Sequence, residues 1–188
     1  MIKKIVLLIG VIISLTIVQG FTFLPTSHLI ETNTLVHWYT FGEAVELQKK
    51  SPRMIMVDVY TNWCGPCKMM SAYTFEHSVI AQYLNEHYYP VKFNAETRDS
   101  VIFNGNMFVN HNPDGTARPV HDFAVSILDN KLYYPSIVFL NEDLIKVQTV
   151  SGFYKADQFE PIIKFFGSGK YKDTKYDDYV KNFITEVK

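Results

Sequence analysis

The chain has 188 residues, 47% of them hydrophobic and 15% aromatic, with 18 Lys and Arg against 19 Asp and Glu. That length and hydrophobic content suit one globular domain with a full core. The net charge of −1 provides no basic surface of the kind that nucleic-acid binding requires, so we expect no nucleic-acid partner.

The first 24 residues have the pattern of a targeting segment. Lys3 and Lys4 precede an apolar run from Ile5 to Val18, and the small residue Gly20 follows. These features are typical of a signal peptide, although the longer stretch from Ile5 to Leu24 is also just long enough for an uncleaved membrane anchor. In both alternatives the lysines stay inside and the rest of the chain crosses the membrane. We therefore predict an exported protein, in the periplasm or on the outer face of the cytoplasmic membrane.

The globular domain is predicted to span residues 31–166. Trp38 lies in the segment before the first helix and is expected to pack against the body of this domain. Thr40 and Glu43 form a capping-box pattern, which predicts a helix from there to about Lys50.

The next element is an apolar strand that contains one acid. Residues 54–60, MIMVDVY, are β-branched and apolar apart from Asp58, which predicts a buried central strand. A carboxyl group in such a run is expected to be buried, with a raised pKa and a proton to exchange. The alternative is a side chain at the strand end that points into solvent.

Both cysteines of the chain, Cys64 and Cys67, lie in the stretch NWCGPCK. A disulfide that closes so short a loop removes little chain entropy from the unfolded state, so a structural role explains it poorly. Zinc would need a second ligand pair, which the six histidines do not supply at a suitable spacing. Haem attachment by C-x-x-C-H fails because residue 68 is Lys. A reversible redox pair remains, and we expect neither metal nor cofactor.

The residues that follow predict a helix over 65–87, because apolar residues recur at spacings of three and four. Pro66 is tolerated in its first turn. Cys64 therefore lies at a helix N-terminus, where the helix dipole lowers the pKa of a thiol and makes it the nucleophile. Cys67, one turn further on, is expected to be more buried and to resolve a mixed disulfide.

The stretch VDVYTNWCGPCK resembles the active site of thioredoxins. Asp58, six residues before Cys64, matches the buried carboxylate that assists proton transfer at the second cysteine of that family. Lys92 in VKFNAE matches the lysine that pairs with this acid, with simple snorkelling as an equal alternative. Pro135 in YYPSIVFL matches the cis-proline opposite the cysteines. Gly152 matches the glycine before the last helix.

The resemblance also implies a surface for substrate contact around the cysteines. Tyr134, directly before the cis-proline, offers its backbone to an extended substrate peptide. Trp63 is either an exposed aromatic contact or an ordinary core residue. Gly65 and Pro66, between the cysteines, complete the predicted set.

The rest of the chain predicts the element order of a thioredoxin fold. The predicted elements are a strand over 89–94, a hairpin over 101–109 around Asn104-Gly105, a turn at Asn112–Gly115, a helix over 120–129, strands over 136–141 and 144–150, and a helix over 156–166. Strands alternating with helices, followed by two consecutive strands, predict an α/β fold with a mixed central sheet and helices on both faces.

Besides the segment from Glu31 to Phe41, which contains Trp38, two additions distinguish this chain from small thioredoxins. The first is an insertion at about 97–119, whose hairpin is expected to cover a sheet edge rather than to form a partner site. The second is an extension over 167–188 with a short amphipathic helix from Tyr176 to Val187. His121, after the insertion, is expected to be a packing residue in the first turn of its helix.

Together these features predict an exported thiol:disulfide oxidoreductase that reduces or isomerises disulfides of protein substrates. Gly-Pro between the cysteines resembles the reducing members, near −270 mV in thioredoxin against about −120 mV in the strong oxidants. A reductant in an oxidising compartment must be recharged, which implies a membrane thiol reductant as electron donor. The alternatives are a disulfide-forming oxidase of the same fold and a non-catalytic binding or chaperone module.

Overall fold

The computed structural model describes residues 35–111 and 118–188, which belong to one compact unit. The predicted targeting segment, residues 1–24, and the predicted turn at Asn112–Gly115 lie outside the described residues. No helix in the described part of the chain is long and apolar enough to cross a membrane.

The described elements follow the predicted order. In chain order they are α1 (Phe41–Lys50), β1 (Met54–Tyr60), α2 (Gly65–Met70), a π-helical turn (Ser71–Phe75), α3 (Ser78–His87), β2 (Tyr88–Asn94), β3 (Val101–Phe103), β4 (Asn106–Phe108), α4 (Asp122–Ile127), β5 (Ser136–Leu140), β6 (Lys146–Ser151), α5 (Ala156–Gly167), a 3₁₀ turn (Lys170–Lys172) and α6 (Tyr176–Val180). The capping box of Thr40 and Glu43 is present at the start of α1, as predicted.

The central sheet has the strand order β2-β1-β5-β6. β1 runs parallel to β2 and antiparallel to β5, and β6 runs antiparallel to β5. Alternate residues of β1 face opposite sides: Met56 packs in the core with α3 and α5, whereas Val57 packs with α1 and α4. The mixed sheet with helices on both faces confirms the predicted thioredoxin fold.

The predicted single helix over 65–87 is wrong in its middle. After α2 the chain widens into the π-helical turn, and His77 then adopts an extended backbone before α3 begins. The turn directs two hydroxyl groups to partners outside the helix: Ser71 to the Lys92 ammonium, and Thr74 to the carbonyl oxygen of Tyr154. The π-helical turn spans only five residues, which is shorter than the window over which hydrophobic periodicity can be read, so the sequence pattern could not reveal it.

The hairpin of the insertion is confirmed, but its expected role is wrong. Asn104 and Gly105 both have positive φ, which the tight turn between β3 and β4 requires. The two strands form a separate sheet, and Phe103 and Phe108 pack on Phe123 of α4. The hairpin therefore covers a helix rather than an edge of the central sheet.

The edge of β2 is covered instead by the segment before α1. Tyr39 donates its backbone N–H to the Pro90 carbonyl oxygen at 2.8 Å and forms a parallel bridge with Val91. In the same segment Trp38 packs edge-on against Phe75 at a centroid distance of 5.0 Å, which confirms its expected packing. The edge strand β2 is thus protected by residues that were not predicted to contact the sheet edge.

One buried carboxylate holds the C-terminal extension. Glu160 of α5 is fully buried and accepts the backbone N–H groups of Glu186 at 3.1 Å and Val187 at 3.3 Å. The side chain of Thr185 donates to the same carboxylate. The predicted helix from Tyr176 to Val187 is shorter than expected: it ends at Val180, and the last amides bind Glu160 instead of helical carbonyl groups.

Glu160→Gln is expected to lower the free energy of unfolding at pH 7 by about 1–2 kcal/mol. Burial by itself raises the pKa of Glu160, but the hydrogen bonds from Lys164, Thr185 and the tail amides outweigh it and hold the pKa below its usual value. This stabilisation is present above the unfolded-state pKa and is lost as the pH falls through the folded-state pKa.

Urea denaturation of the wild type, Glu160→Gln and Glu142→Gln at pH 7 measures the effect. Glu142 is exposed, so its substitution should leave the midpoint unchanged. Equal stability of the two variants would contradict the role assigned to Glu160.

Candidate active site

Cys64 and Cys67 form a disulfide where β1 gives way to α2. Cys64 is the N-cap of α2, and its Sγ accepts the backbone N–H of Cys67 at 3.1 Å. When the disulfide is reduced, the same N–H and the helix N-terminus favour the thiolate form of Cys64. This position supports Cys64 as the attacking sulfur.

The expected difference in burial between the two cysteines is wrong. Cys64 is 3% exposed and Cys67 is 5% exposed, so the sulfurs are equally protected. The bond between them holds both side chains on the inner side of the turn, while Gly65 and Pro66 form its exposed outer side. What distinguishes the cysteines is therefore the position at the helix end and not burial.

Asp58 and Lys92 lie directly opposite each other on β1 and β2. The Asp58 carboxyl is buried, with Oδ2 at 3.5 Å from the Lys92 Nζ and Oδ1 without a hydrogen-bond partner among the described residues. Burial raises the pKa of Asp58 to about 6, and the Lys92 charge opposes a further rise. A carboxyl group with this pKa can take up and release a proton near neutral pH.

Lys92 is held as a partner of Asp58 rather than extended into solvent. Its ammonium also contacts the Ser71 hydroxyl and lies 4.8 Å from the centre of the Trp38 ring. Aromatic faces attract a cation, so the Trp38 ring helps to hold this side chain in place. The other rings around it are those of Tyr60 and Phe75, each 5.4 Å away.

Among the predicted substrate-contact residues, Trp63, Gly65 and Pro66 are exposed, whereas Tyr134 is half-buried and Pro135 is buried. Trp63 is 51% exposed and meets the ring of Tyr134 edge-on at a centroid distance of 6.1 Å. The peptide bond between Tyr134 and Pro135 is cis, and Pro135 directly precedes β5, where the sequence predicted a strand start. Burial raises the pKa of Tyr134. The structure thus brings residues that are 71 positions apart to one surface.

Comparison with known proteins identifies the family. The model of the family Thioredox_DsbH, described as "Protein of unknown function, DUF255", matches residues 26–149. A thioredoxin from Borreliella burgdorferi is 30% identical over 141 residues, which cover 74% of this chain and 96% of that protein. The chain belongs to the thioredoxin family. It has the match to the Thioredox_DsbH family model and the C-x-x-C pair, Cys64 and Cys67, in common with thioredoxin-like proteins.

Two further likenesses agree with this assignment. The thiol:disulfide interchange protein DsbD from Pectobacterium atrosepticum is 25% identical over 168 residues, 87% of this chain but only 26% of that protein. This thioredoxin therefore spans about a quarter of the length of that relative. The solution structure of a thioredoxin from Thermus thermophilus has a TM-score of 0.52 at 17% identity, covering 76% of this chain and 98% of that one, and supports the fold.

A cavity of about 260 Å³ leads into this thioredoxin beside the active site. Cys67, Ser71 and Lys92 all line it, together with the exposed Lys68 and Glu76. The cavity therefore connects the second cysteine with Lys92, the ion-pair partner of Asp58.

Three residues near the site were not predicted from the sequence. Ser71 reaches Lys92 through the π-helical turn. Glu96 accepts the indole N–H of Trp63 at 2.8 Å, and the guanidinium of Arg118 lies 4.6 Å from the centre of the same ring. Glu96 and Arg118 are at the two ends of the insertion, and no motif or periodicity relates them to Trp63.

His121 has a structural position, and none of its contacts in the described residues is with Trp63, Tyr134 or the cysteines. It is fully buried and caps α4, with Nδ1 accepting the Phe123 backbone N–H at 3.0 Å. Its Nε2 lies 2.9 Å from the Asp99 carbonyl oxygen and therefore donates to it. Both ring nitrogens are used, which fits the expected packing role near the start of the helix.

Proposed function

We propose that this thioredoxin reduces or isomerises disulfides of exported proteins, with Cys64 as nucleophile, Cys67 as resolving cysteine and Asp58 as proton acceptor. The observation that carries the proposal is the Cys64 Sγ at the start of α2, bonded to a second cysteine that shares a cavity with Lys92, the partner of Asp58.

The reaction begins with the reduced protein. The Cys64 thiolate attacks one sulfur of the substrate disulfide, the substrate S–S bond breaks, and a mixed disulfide and one substrate thiolate form. Asp58, in its carboxylate form, accepts the proton of the Cys67 thiol. The Cys67 thiolate then attacks the Cys64 Sγ, which releases the second substrate thiolate. The substrate has gained two electrons, and the protein ends with the Cys64–Cys67 disulfide.

Another turnover requires a dithiol that returns two electrons to this disulfide. The charged and apolar pattern of residues 1–24 favours export, and thiols are not kept reduced in an oxidising compartment. We propose a membrane thiol reductant as the donor. Trp63, Tyr134 and the Gly65-Pro66 pair provide the surface on which both the substrate and this donor bind.

The direction of electron flow can be tested by equilibrating the full chain with glutathione buffers of known potential. We expect a midpoint potential closer to about −270 mV than to about −120 mV, because Gly-Pro between the cysteines is typical of reducing members. The fraction of free thiols is measured by alkylation, with the Cys64→Ser variant as a control that cannot form the bond. A potential near that of the strong oxidants would favour a disulfide-forming oxidase instead.

A further inference from the structure

The indole of Trp63 is half exposed and yet is held on three sides. Its N–H donates to Glu96 at 2.8 Å, its ring meets Tyr134 edge-on, and the guanidinium of Arg118 lies over its face at 4.6 Å. An exposed side chain held in this way loses little conformational freedom when a partner binds. The aromatic contact next to Cys64 is therefore preorganised.

Arg118 brings a positive charge from the insertion to this surface. A guanidinium that stacks on an aromatic face keeps its in-plane N–H groups available for a further partner, and their planar fork matches a carboxylate. Arg118 is exposed, so a ligand can reach these donors. The nearby carboxylate of Glu96 accepts the indole N–H at the edge of the Trp63 ring, whereas Arg118 lies over the face of that ring.

We propose that the Arg118–Trp63 stack binds a side-chain carboxylate of the substrate, so that this thioredoxin prefers protein disulfides with Asp or Glu beside them. The inference rests on the proposed function, because it selects among disulfide substrates at the same cysteines. The insertion then acts as a specificity element, since it brings Arg118 to the disulfide. Lys68, exposed on α2 directly after Cys67, adds a second positive charge next to the cysteines.

The inference is tested by binding to peptides that cannot react. Three peptides carry the same sequence around a thioether bridge and differ at one adjacent residue, which is Glu, Gln or Lys. Their dissociation constants for the oxidised full chain are measured by isothermal titration calorimetry. We expect the Glu peptide to bind about fivefold more tightly than the Gln peptide and the Lys peptide to bind least tightly. In 0.5 M NaCl the difference should shrink, because salt screens exposed charges.

Substitutions identify the residue responsible. Arg118→Gln should remove the preference for Glu, and Arg118→Lys, which keeps the charge without the planar fork, should retain part of it. Arg98→Gln is the matched control: it removes the same charge from an exposed position in the same insertion and should leave the preference intact. The unfolding midpoint of each variant shows that it is folded. The proposal is overturned if the wild type binds the three peptides equally, or if Arg118→Gln keeps the same ratio.

A separate measurement tests the proposed function. The reduced wild type is given a small uncharged disulfide, on which Arg118 should have no charge to recognise, and thiol release is followed. Turnover of this compound without a preference among the peptides would reject the inference alone. A preference for the Glu peptide without turnover of any disulfide would reject the proposed function and leave the carboxylate site standing.

Discussion

Replacing Cys64 by Ser is expected to lower the rate of insulin disulfide reduction by at least about a thousandfold, to the rate without protein. The serine hydroxyl is not ionised at neutral pH and does not attack sulfur, so no mixed disulfide forms. The fold should persist, because the two side chains have nearly the same shape and the disulfide closes only a short loop. Turbidity of the reduced insulin chains, with dithiothreitol as the final reductant, measures the rate.

Cys67→Ala is the companion variant. It keeps the nucleophile but has no second sulfur to release the substrate, so it should accumulate a mixed disulfide at Cys64 that disappears on reduction. Capture by Cys67→Ala but not by Cys64→Ser would support the order of attack. Equal insulin turnover by the wild type and Cys64→Ser would instead favour a non-catalytic binding module.

Asp58→Asn is expected to raise the free energy of unfolding at pH 7 by up to about 3 kcal/mol. Burial raises the pKa of Asp58 from its usual 3.8 to about 6, so the folded protein binds this proton more tightly than the unfolded chain does. The stability that the group contributes is therefore complete below about pH 4 and is lost as the pH rises through about 6. Asn does not titrate, so the variant should lack this loss.

Urea denaturation at pH 4 and pH 7 measures the difference. The variant and the wild type should be close in stability at pH 4 and diverge at pH 7, since only the wild type has then ionised a buried group. The attraction of Lys92 at 3.5 Å is already contained in the Asp58 pKa of about 6 and needs no separate correction. A divergence of the same size at both pH values would contradict the assigned pKa shift.

The same substitution should slow the resolution of the mixed disulfide. In the wild type this step should accelerate as the pH rises through about 6, because the Asp58 carboxylate accepts the Cys67 proton. In Asp58→Asn the acceleration should move to the higher pH at which the thiol itself ionises. Lys92→Met should shift the wild-type midpoint upward by about one pH unit, because the Lys92 charge opposes the rise in the pKa of Asp58.

Stopped-flow measurement of product thiol release from pH 5 to 9 resolves these profiles. Lys50→Met, at an exposed end of α1, is the matched control and should leave the midpoint unchanged. An unchanged profile in Asp58→Asn would assign the proton acceptor to another group or to water.

The sequence by itself determined the elements whose signals are local. Four such features depend only on neighbouring residues, and each is present in the structure. They are the apolar run of β1, the cap of α1, the Asn104-Gly105 turn and the position of Cys64 before a helix. The thioredoxin motif adds Asp58 and Pro135, because a family motif preserves spacing along the chain.

Only the tertiary structure decided which other groups reach the cysteines and their acid. Ser71 meets Lys92 from 21 positions away and Glu96 meets Trp63 from 33. Arg118 reaches the same indole from the far end of the insertion. These contacts depend on the π-helical turn, on the strand register and on the course of a loop. None of these features produces a periodic pattern or a motif in the sequence. Two buried carboxyl groups show this difference. Burial dominates at Asp58 and raises its pKa, whereas hydrogen bonds from Lys164 and from the tail lower the pKa of Glu160. The residue type was known in both cases, but the environment that fixes its charge exists only in the folded chain.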